Sequence, residues 1–539
     1  MDDLPQPRAH AWGRRGAGSP GRNSQSSGRS LRRPGSGIAL SGPAGPSVRP
    51  SGPDARPAVG VFLAFFVLSA CWALATPLFS APDERSHAIK AAGTVRGQLW
   101  GEEVEGTSIT MMRVPAWLDP AVGARNCRPY RPGADALCLP DELSRTEIRD
   151  VPARAGRYPP LYYLLAGAPT YLTDPATAIY LIRLLSAALA AIFLTVAFGY
   201  ARRLREAPAL PVGFVVAATP MVFYLAGSVN PNGLEVAAAI CLWVVGTALV
   251  VAGLPADRPA ARRLLVWLAL AAVTLALNRS ASPAFAAITL GTLVLFADRR
   301  RLVRLARDHR VLKVVGLIGA AGVVAAVMVL MSDPYPGPVE VVDPRGFQAR
   351  FLRALSRQDD YAQQMVAVFG SLDTKPAWPV FGVWFAAAAG LVSAAIRSGR
   401  RFVVVGLLVG GTVLLSTVVE AMALGTMGVF WQGRYSLPLA VGVPILASAC
   451  IGRGSRAFDL LTRRGAAIGV PLVAGAIQLV CLVAAARRFS GGGASWSFLW
   501  QQPSPISPVG LPLVLWAFLL AQIFLGTLIA RGMMAAREG

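Results

Sequence analysis

The chain has 539 residues, of which 54% are hydrophobic and only 15% charged, and its mean hydropathy is +0.50. That balance excludes an ordinary soluble domain and points to an all-α, polytopic integral membrane protein. The net charge of +23 does not indicate nucleic acid, because the arginines gather in short loops between apolar runs and not on one soluble face.

Residues 1–57 are rich in Gly, Ser, Pro and Arg and almost free of large apolar side chains, so they cannot bury enough surface to offset their ordering entropy. They show neither the apolar region nor the cleavage pattern of a signal peptide, and are expected to form a disordered basic tail on the cytoplasmic side, near anionic lipid. The first apolar run, 58–79, is then an uncleaved anchor. From it emerges Ser80-Ala81-Pro82-Asp83-Glu84-Arg85-Ser86-His87, at the outer membrane surface. Pro82 suits the first turn of a helix, where its missing N–H has no partner to lose. Asp83 and Glu84 then lie near the positive end of the helix dipole as a candidate reactive pair; solvated first-turn acids are the plainer alternative.

Residues 80–157 form the longest polar interval, read as a structured first exoplasmic loop with an amphipathic helix over 88–99. Cys127 and Cys138 fall in it and are placed to form a disulfide if the loop faces an oxidising compartment. His87 is the one histidine there, too few partners for a zinc site. Cys71, Cys241, Cys450 and Cys481 lie in apolar runs, as small core residues. Segment 158–173 is apolar but short, since a crossing needs about 20 residues. A crossing there would also put every later basic loop outside, so it is expected to lie along the outer face with its tyrosines at the interface.

Further spans are expected at 177–200, 210–227, 234–254, 264–277, 283–297, 311–331, 378–396, 402–421, 435–451, 466–486 and 511–530. With the first they make about twelve transmembrane helices, both termini being cytoplasmic. This places Arg202-Arg203, Arg262-Arg263, the run from Arg299 to Lys313, Arg400-Arg401, Arg463-Arg464 and Arg531 inside. The short spans around Asn278-Arg279-Ser280 also read as a re-entrant pair. The expected organisation is a transmembrane domain over 58–486, with 332–376 a second outer loop, followed by an outer loop and final span over 487–539.

The outer loops then collect Asp83-Glu84, Arg157, Asn230-Pro231-Asn232-Gly233, Asn278-Arg279, Glu420 and Trp431-Gln432-Gly433-Arg434-Tyr435. A carboxylate as base, arginines for phosphate and aromatic rings for sugar are what an enzyme acting on a lipid-linked phosphate needs. Plainer roles exist for each: Arg279 and Arg434 as interfacial anchors, the aromatic rings as a belt, the Asn-Pro-Asn-Gly stretch as a turn, and Arg350, Arg353 and Arg357 as a solvated helix face. Arg183 is more pointed, because a charge about six residues inside a span marks a functional site by default; snorkelling to the outer surface is its plainer alternative.

Five motifs in order carry a resemblance: Pro82-Asp83-Glu84 with His87; Tyr158-Pro159-Pro160-Leu161-Tyr162-Tyr163; Asn230-Pro231-Asn232-Gly233; Gly370-Ser371-Leu372-Asp373-Thr374; and Gln432-Gly433-Arg434-Tyr435. Together they resemble the bacterial membrane proteins of domain-of-unknown-function family 2142, which is in turn similar to the GT-C glycosyltransferases. The resemblance covers roughly residues 59–486. It implies a GT-C-like glycosyltransferase in the cytoplasmic membrane, taking sugar from a polyprenyl-phosphate donor to an envelope glycan, lipid or protein acceptor on the outer face. The family's candidate base falls on Asp83, with Glu84 beside it, and the Pro-Pro-Leu-Tyr stretch resembles a juxtamembrane helix. Taking the motifs together with the outer-loop arginines and Arg183, the candidate substrate- and phosphate-binding residues are His87, Arg157, Tyr158, Tyr162, Arg183, Asn230, Asn232, Arg279, Asp373, Gln432, Arg434 and Tyr435. No Asp-x-Asp pair stands in the outer loops and no cofactor is required; a divalent metal shared by Asp83, Glu84 and another carboxylate stays open. The cysteine pair and the basic tail lie outside the family pattern. The rival readings are a transporter or flippase for a lipid-linked glycan or small solute, against which the lack of an internal repeat weighs, and a non-catalytic envelope scaffold.

Overall fold

Apolar runs punctuated by proline, glycine and arginine become helices in the computed structural model, which describes residues 55–105, 107, 109–119, 146–171, 174–332, 342–490, 496–500 and 507–538. The basic tail up to residue 54, Cys127 and Cys138, and part of the second outer loop lie outside the described residues. The first span is α1 (Ala55–Ala75), followed by α2 (Glu84–Val95), three strands and α3 (Leu161–Ala166). Then come α4 (Pro175–Arg203), α5 (Leu210–Ala217), α6 (Pro220–Ala226), α7 (Pro231–Ala252), α8 (Arg258–Asn278) and α9 (Ser282–Phe296). The basic α10 (Arg299–Ala306) leads into α11 (His309–Ser332), and two short helices, α12 (Phe347–Leu355) and α13 (Gln358–Ala367), precede α14 (Trp378–Ala394) and α15 (Arg400–Ala423). The chain closes with α16 (Gly433–Ala440), α17 (Gly442–Ala449), α18 (Arg456–Thr462), α19 (Arg464–Phe489) and α20 (Leu511–Glu538).

Among the described residues nine helices are long and apolar enough to cross a membrane: α1, α4, α7, α8, α11, α14, α15, α19 and α20. The three other expected passes are short or broken. Segment 210–227 divides into α5 and α6 at Pro220, which has no N–H to continue a helix. The groups freed there are satisfied by side chains, as a membrane interior requires: Gln478 donates to the Ala218 carbonyl at 2.8 Å, and the Trp384 indole donates to the Val216 carbonyl at 2.9 Å. Segment 435–451 divides into α16 and α17, with the Trp243 indole donating to the Pro438 carbonyl at 2.9 Å. The third is the 15-residue α9. The protein is thus a predominantly helical, polytopic membrane protein, with nine full-length apolar helices among the described residues.

The core centres on α7, whose membrane window is buried along its whole length. A helix apolar on every side belongs in the middle of a bundle, and α7 packs against α4, α6, α8, α9, α16 and α17. Its Trp243 ring packs tightly on Gly442, where a Cβ would stand 2.4 Å from the ring. Gly442→Ala is therefore expected to destabilise the protein by about 1–3 kcal/mol through overpacking, read as a lowered unfolding midpoint in detergent; an unchanged midpoint would mean that this contact is loose.

At one end of the bundle the first loop folds into an antiparallel sheet of β1 (Glu102–Glu103), β2 (Thr110–Pro115) and β3 (Ile148–Ala153), in that order. Met112 pairs with Val151, and both face inward, Met112 reaching Gly93 of α2. This end is called the sheet face. The opposite end carries the arginine loops, where Arg401 pairs with Asp298 at 3.0 Å and Arg310 with Asp308 at 2.8 Å. At the sheet face α3 spans six residues and leads into a turn at Ala168–Tyr171. It buries Tyr162 and Tyr163 while leaving Leu164 and Leu165 exposed.

Candidate active site

The turn between α1 and α2 is clamped from two sides. Arg183, one-third along α4 and fully buried, uses all five of its N–H groups. Two go to Glu84, Nε to Oε1 at 2.7 Å and Nη2 to Oε2 at 2.6 Å. The rest go to the carbonyls of Ala73 at 2.8 Å, Thr76 at 2.6 Å and Pro77 at 2.8 Å. Glu84 also accepts the Val229 N–H at 3.1 Å, and Asn230 donates to the Pro82 carbonyl at 3.0 Å. The turn so held puts two non-glycine residues in the left-handed region, Phe79 at φ 61° and Asp83 at φ 58°. Such conformations persist only where the surroundings impose them, and they cluster at functional sites. Here the kink separates neighbouring carboxylates: Glu84 points into the protein and Asp83 out of it.

Asp83 sits at the start of α2 with 53% of its side-chain surface open, while its partner Arg434 is 3% exposed. The two are in direct hydrogen-bond contact, Arg434 Nη2 donating to Asp83 Oδ2. The protein crowded around Asp83 pushes its carboxyl up, and the guanidinium of Arg434, joined by that of Arg279, outweighs this and holds it below the ordinary value. Arg434 lies at the first turn of α16, in a stretch fixed from behind by three backbone N–H groups: Phe430 and Trp431 donate to Glu420 at 3.1 and 2.6 Å, and Gly433 to Gln364 at 2.7 Å. Tyr435 stands between two cations, its ring 5.2 Å from the Arg434 guanidinium and 4.8 Å from that of Arg279. Tyr158 covers Arg279 from another side at 5.5 Å. His87, one turn along α2 from Asp83, meets the Tyr163 hydroxyl at 2.8 Å with Nδ1 and faces Tyr158. Burial pushes its imidazole down to about 3, so it is neutral at pH 7.

Arg434 Nε and Nη1 and Arg279 Nε are buried without a hydrogen-bond partner. Unpaired guanidinium N–H groups in a buried setting are costly and mark a place where an acceptor belongs. The constellation of Asp83, His87, Tyr158, Arg279, Arg434 and Tyr435 unites six residues expected from the sequence. Glu235 belongs with them and was not expected: it accepts from Arg279 Nη1 at 3.2 Å, Asn232 at 2.8 Å and the Ser282 hydroxyl. The signal was present, since a glutamate in an otherwise apolar helix is the same kind of anomaly as Arg183.

Other expected site residues serve the frame. Glu84, expected as a catalytic carboxylate, and Arg183, expected as a phosphate ligand, neutralise one another with no side-chain exposure; neither has a group left for substrate. Tyr162 is fully buried and shares a 2.8 Å hydrogen bond with Ser186. Arg157 reaches Glu103 of the sheet at 3.0 Å. Asn230 and Asn232 orient Pro82 and Glu235. Asp373 ends a tight loop, with Gly370 at φ 63° and Leu372 at φ 65°, and pairs with Arg488 at 2.9 Å. Gln432 is adjacent to the cluster in sequence, with its Oε1 buried and unpaired. Among the described residues no three His, Cys, Asp or Glu side chains converge. Both Glu84 oxygens are engaged, so the pair Asp83–Glu84 does not supply a shared metal site.

Two solved structures similar to this chain are crystal structures of ArnT from Cupriavidus metallidurans, one in the apo state and one bound to undecaprenyl phosphate. The apo form aligns at a TM-score of 0.42 and 14% identity over 89% of this chain and 78% of that one. The bound form aligns at 0.41 and 14% over 90% and 78%. No curated protein matches the sequence. The model of a family described as predicted membrane proteins, DUF2142, matches residues 65–443, well over half of the chain. The protein therefore belongs to the DUF2142 family.

Proposed function

We propose that the protein is a membrane glycosyltransferase that moves a sugar from a polyprenyl-phosphate donor to an envelope glycan, lipid or protein acceptor at the outer face of the cytoplasmic membrane. The observation that carries this reading is the pair of buried arginines with unpaired N–H groups beside one half-exposed carboxylate, at the membrane end opposite the arginine loops. The positive-inside rule supports an exoplasmic sheet face and two cytoplasmic termini. An apolar chain resting among the helices would bring its phosphate to that level.

In this reading Asp83 accepts the acceptor hydroxyl proton as the oxygen attacks the anomeric carbon. The bond from that carbon to the phosphate oxygen breaks, its electron pair stays on the phosphate, and Arg434 and Arg279 meet the growing charge. The aromatic rings of Tyr158 and Tyr435 stand where a sugar would stack. Arg434→Gln is expected to lower kcat/KM for label transfer from a radiolabelled polyprenyl-phosphate sugar by about 10²–10³-fold, the usual loss for one preorganised donor. The assay uses full-length protein in detergent with native membrane lipid, and turnover untouched by this change defeats the proposal. A transporter is favoured by one observation, the broken passes α5–α6 and α16–α17. Saturable donor binding with vesicle uptake and no transfer would select it.

A further inference from the structure

Four charged side chains meet at the site, and they differ in their freedom to leave. Asp83 is held by Arg434 and keeps half of its side-chain surface open. Glu235 lies one turn into α7, has no exposed surface, and takes hydrogen bonds from Asn232, Arg279 and Ser282. An anion approaching the unpaired N–H groups of Arg434 and Arg279 can displace Asp83 into water. Glu235 has nowhere to go, since a carboxylate buried in a membrane helix stays only while it is paired. The occupied site then holds Arg279 and Arg434 against Glu235, one net positive charge. The other titratable groups facing it add nothing at pH 7: burial pushes His87 down to about 3 and Tyr158 up to about 12, and it also raises Tyr163. Lys90, further along α2, turns away to the carbonyls of Leu99 and Gly156.

We propose that Glu235 is a specificity-determining residue that tunes this site to a singly charged phosphodiester and against dianionic phosphate monoesters and diphosphates. The inference rests on the reading of the site as one for a lipid-linked phosphate, and says which phosphate. The penalty for desolvating an anion grows with the square of its charge, whereas its attraction to a single net positive charge grows only linearly. A phosphodiester is fully compensated; a dianion is buried with one charge unmatched. An isoprenyl phosphate sugar is a phosphodiester, and the monoester left after transfer loses its second proton near pH 6. The same residue that admits the donor thus favours release of the product.

The test uses full-length protein in detergent with native lipid and three short isoprenyl probes: a methyl phosphodiester, the phosphate monoester and the diphosphate. Each competes with a fluorescent isoprenyl phosphodiester. At about pH 7.5, where the monoester is mostly dianionic, the wild type is expected to prefer the phosphodiester. Glu235→Gln adds one net positive charge and is expected to shift the monoester-to-diester affinity ratio roughly tenfold or more toward the monoester. Because the readout is a ratio, a general loss of packing does not imitate it. Should the variant fail to fold, the wild type decides alone: monoester affinity should approach diester affinity as pH falls to about 5, through the monoester's second ionisation. If no probe binds the wild type, the phosphate reading itself falls. If probes bind but the ratio is the same in wild type and variant, or is flat with pH, the phosphate reading stands and the role given to Glu235 is wrong.

Discussion

Replacing Asp83 with asparagine is expected to abolish sugar transfer and, in the same preparation, to tighten binding of an isoprenyl phosphate. Both effects come from one contact. The Asp83 carboxylate is the proton acceptor of the proposed reaction, a role worth about 10²–10⁴-fold in rate. In the resting structure it also occupies Arg434, the group that an incoming phosphate needs. Asparagine tolerates the left-handed conformation at this position about as well as aspartate, so the turn at φ 58° is retained. It leaves Arg434 with a neutral neighbour, and phosphate affinity should rise about fivefold to tenfold, the scale of one lost charge-assisted contact near a surface. The pH dependence follows from the same pair. The Asp83 carboxyl is held below its ordinary value, so the ion pair is intact at neutral pH and is lost only as pH falls through that lowered value. Wild-type affinity should therefore approach that of the variant only in strongly acidic buffer. Transfer that persists in the variant, or binding that weakens along with transfer, would remove Asp83 from the centre of the mechanism.

The second large effect concerns the neighbouring carboxylate. Arg183→Met is expected to destabilise the protein by about 3–5 kcal/mol, because it strands the buried Glu84 charge and three backbone carbonyls. Removing both charges together, as Glu84→Gln with Arg183→Met, should recover a substantial part of that loss, since a buried pair replaced by neutral groups is often close to neutral in stability. Thermal unfolding in detergent of the two single variants and the double variant measures the coupling. A catalytic or phosphate-binding role for these residues makes the opposite forecast: normal unfolding midpoints with transfer impaired in each single variant. The adjacent carboxylates Asp83 and Glu84 would thus be told apart by which assay each one fails.

The hydropathy of the chain made most of the fold legible. The continuous spans, the short segment around Tyr162 and the arginine loops follow from apolar length and loop charge, and the breaks in two passes coincide with prolines visible in the sequence. The sheet was not legible, because β2 and β3 are short and separated by an insertion of about thirty residues, far beyond hairpin signals. At the site, the sequence supplied the residue types but not their pairing. Asp83 and Glu84 are indistinguishable on paper; a left-handed residue at the head of α2 sends one to solvent and the other to Arg183, 99 residues away. Asp373 finds Arg488 across 115 residues, a partnership that no local pattern encodes. Glu235 had a local signal, an acid inside an apolar run just after Asn230-Pro231-Asn232-Gly233, and its meaning emerges only when Arg279 and Ser282 arrive from the next two helices.

The Arg183 clamp also bears on how the chain enters its membrane. A bare arginine costs roughly 2.5–3.5 kcal/mol at the centre of an inserting helix, and Arg183, one-third along α4, bears part of that penalty. Every acceptor that neutralises Arg183 lies between residues 73 and 84, upstream of α4. Those groups are synthesised before α4. Shortening or reordering the turn between α1 and α2 is therefore expected to hinder integration of α4, read as a loss of membrane-inserted α4 in an insertion assay, before any effect on the finished site is felt.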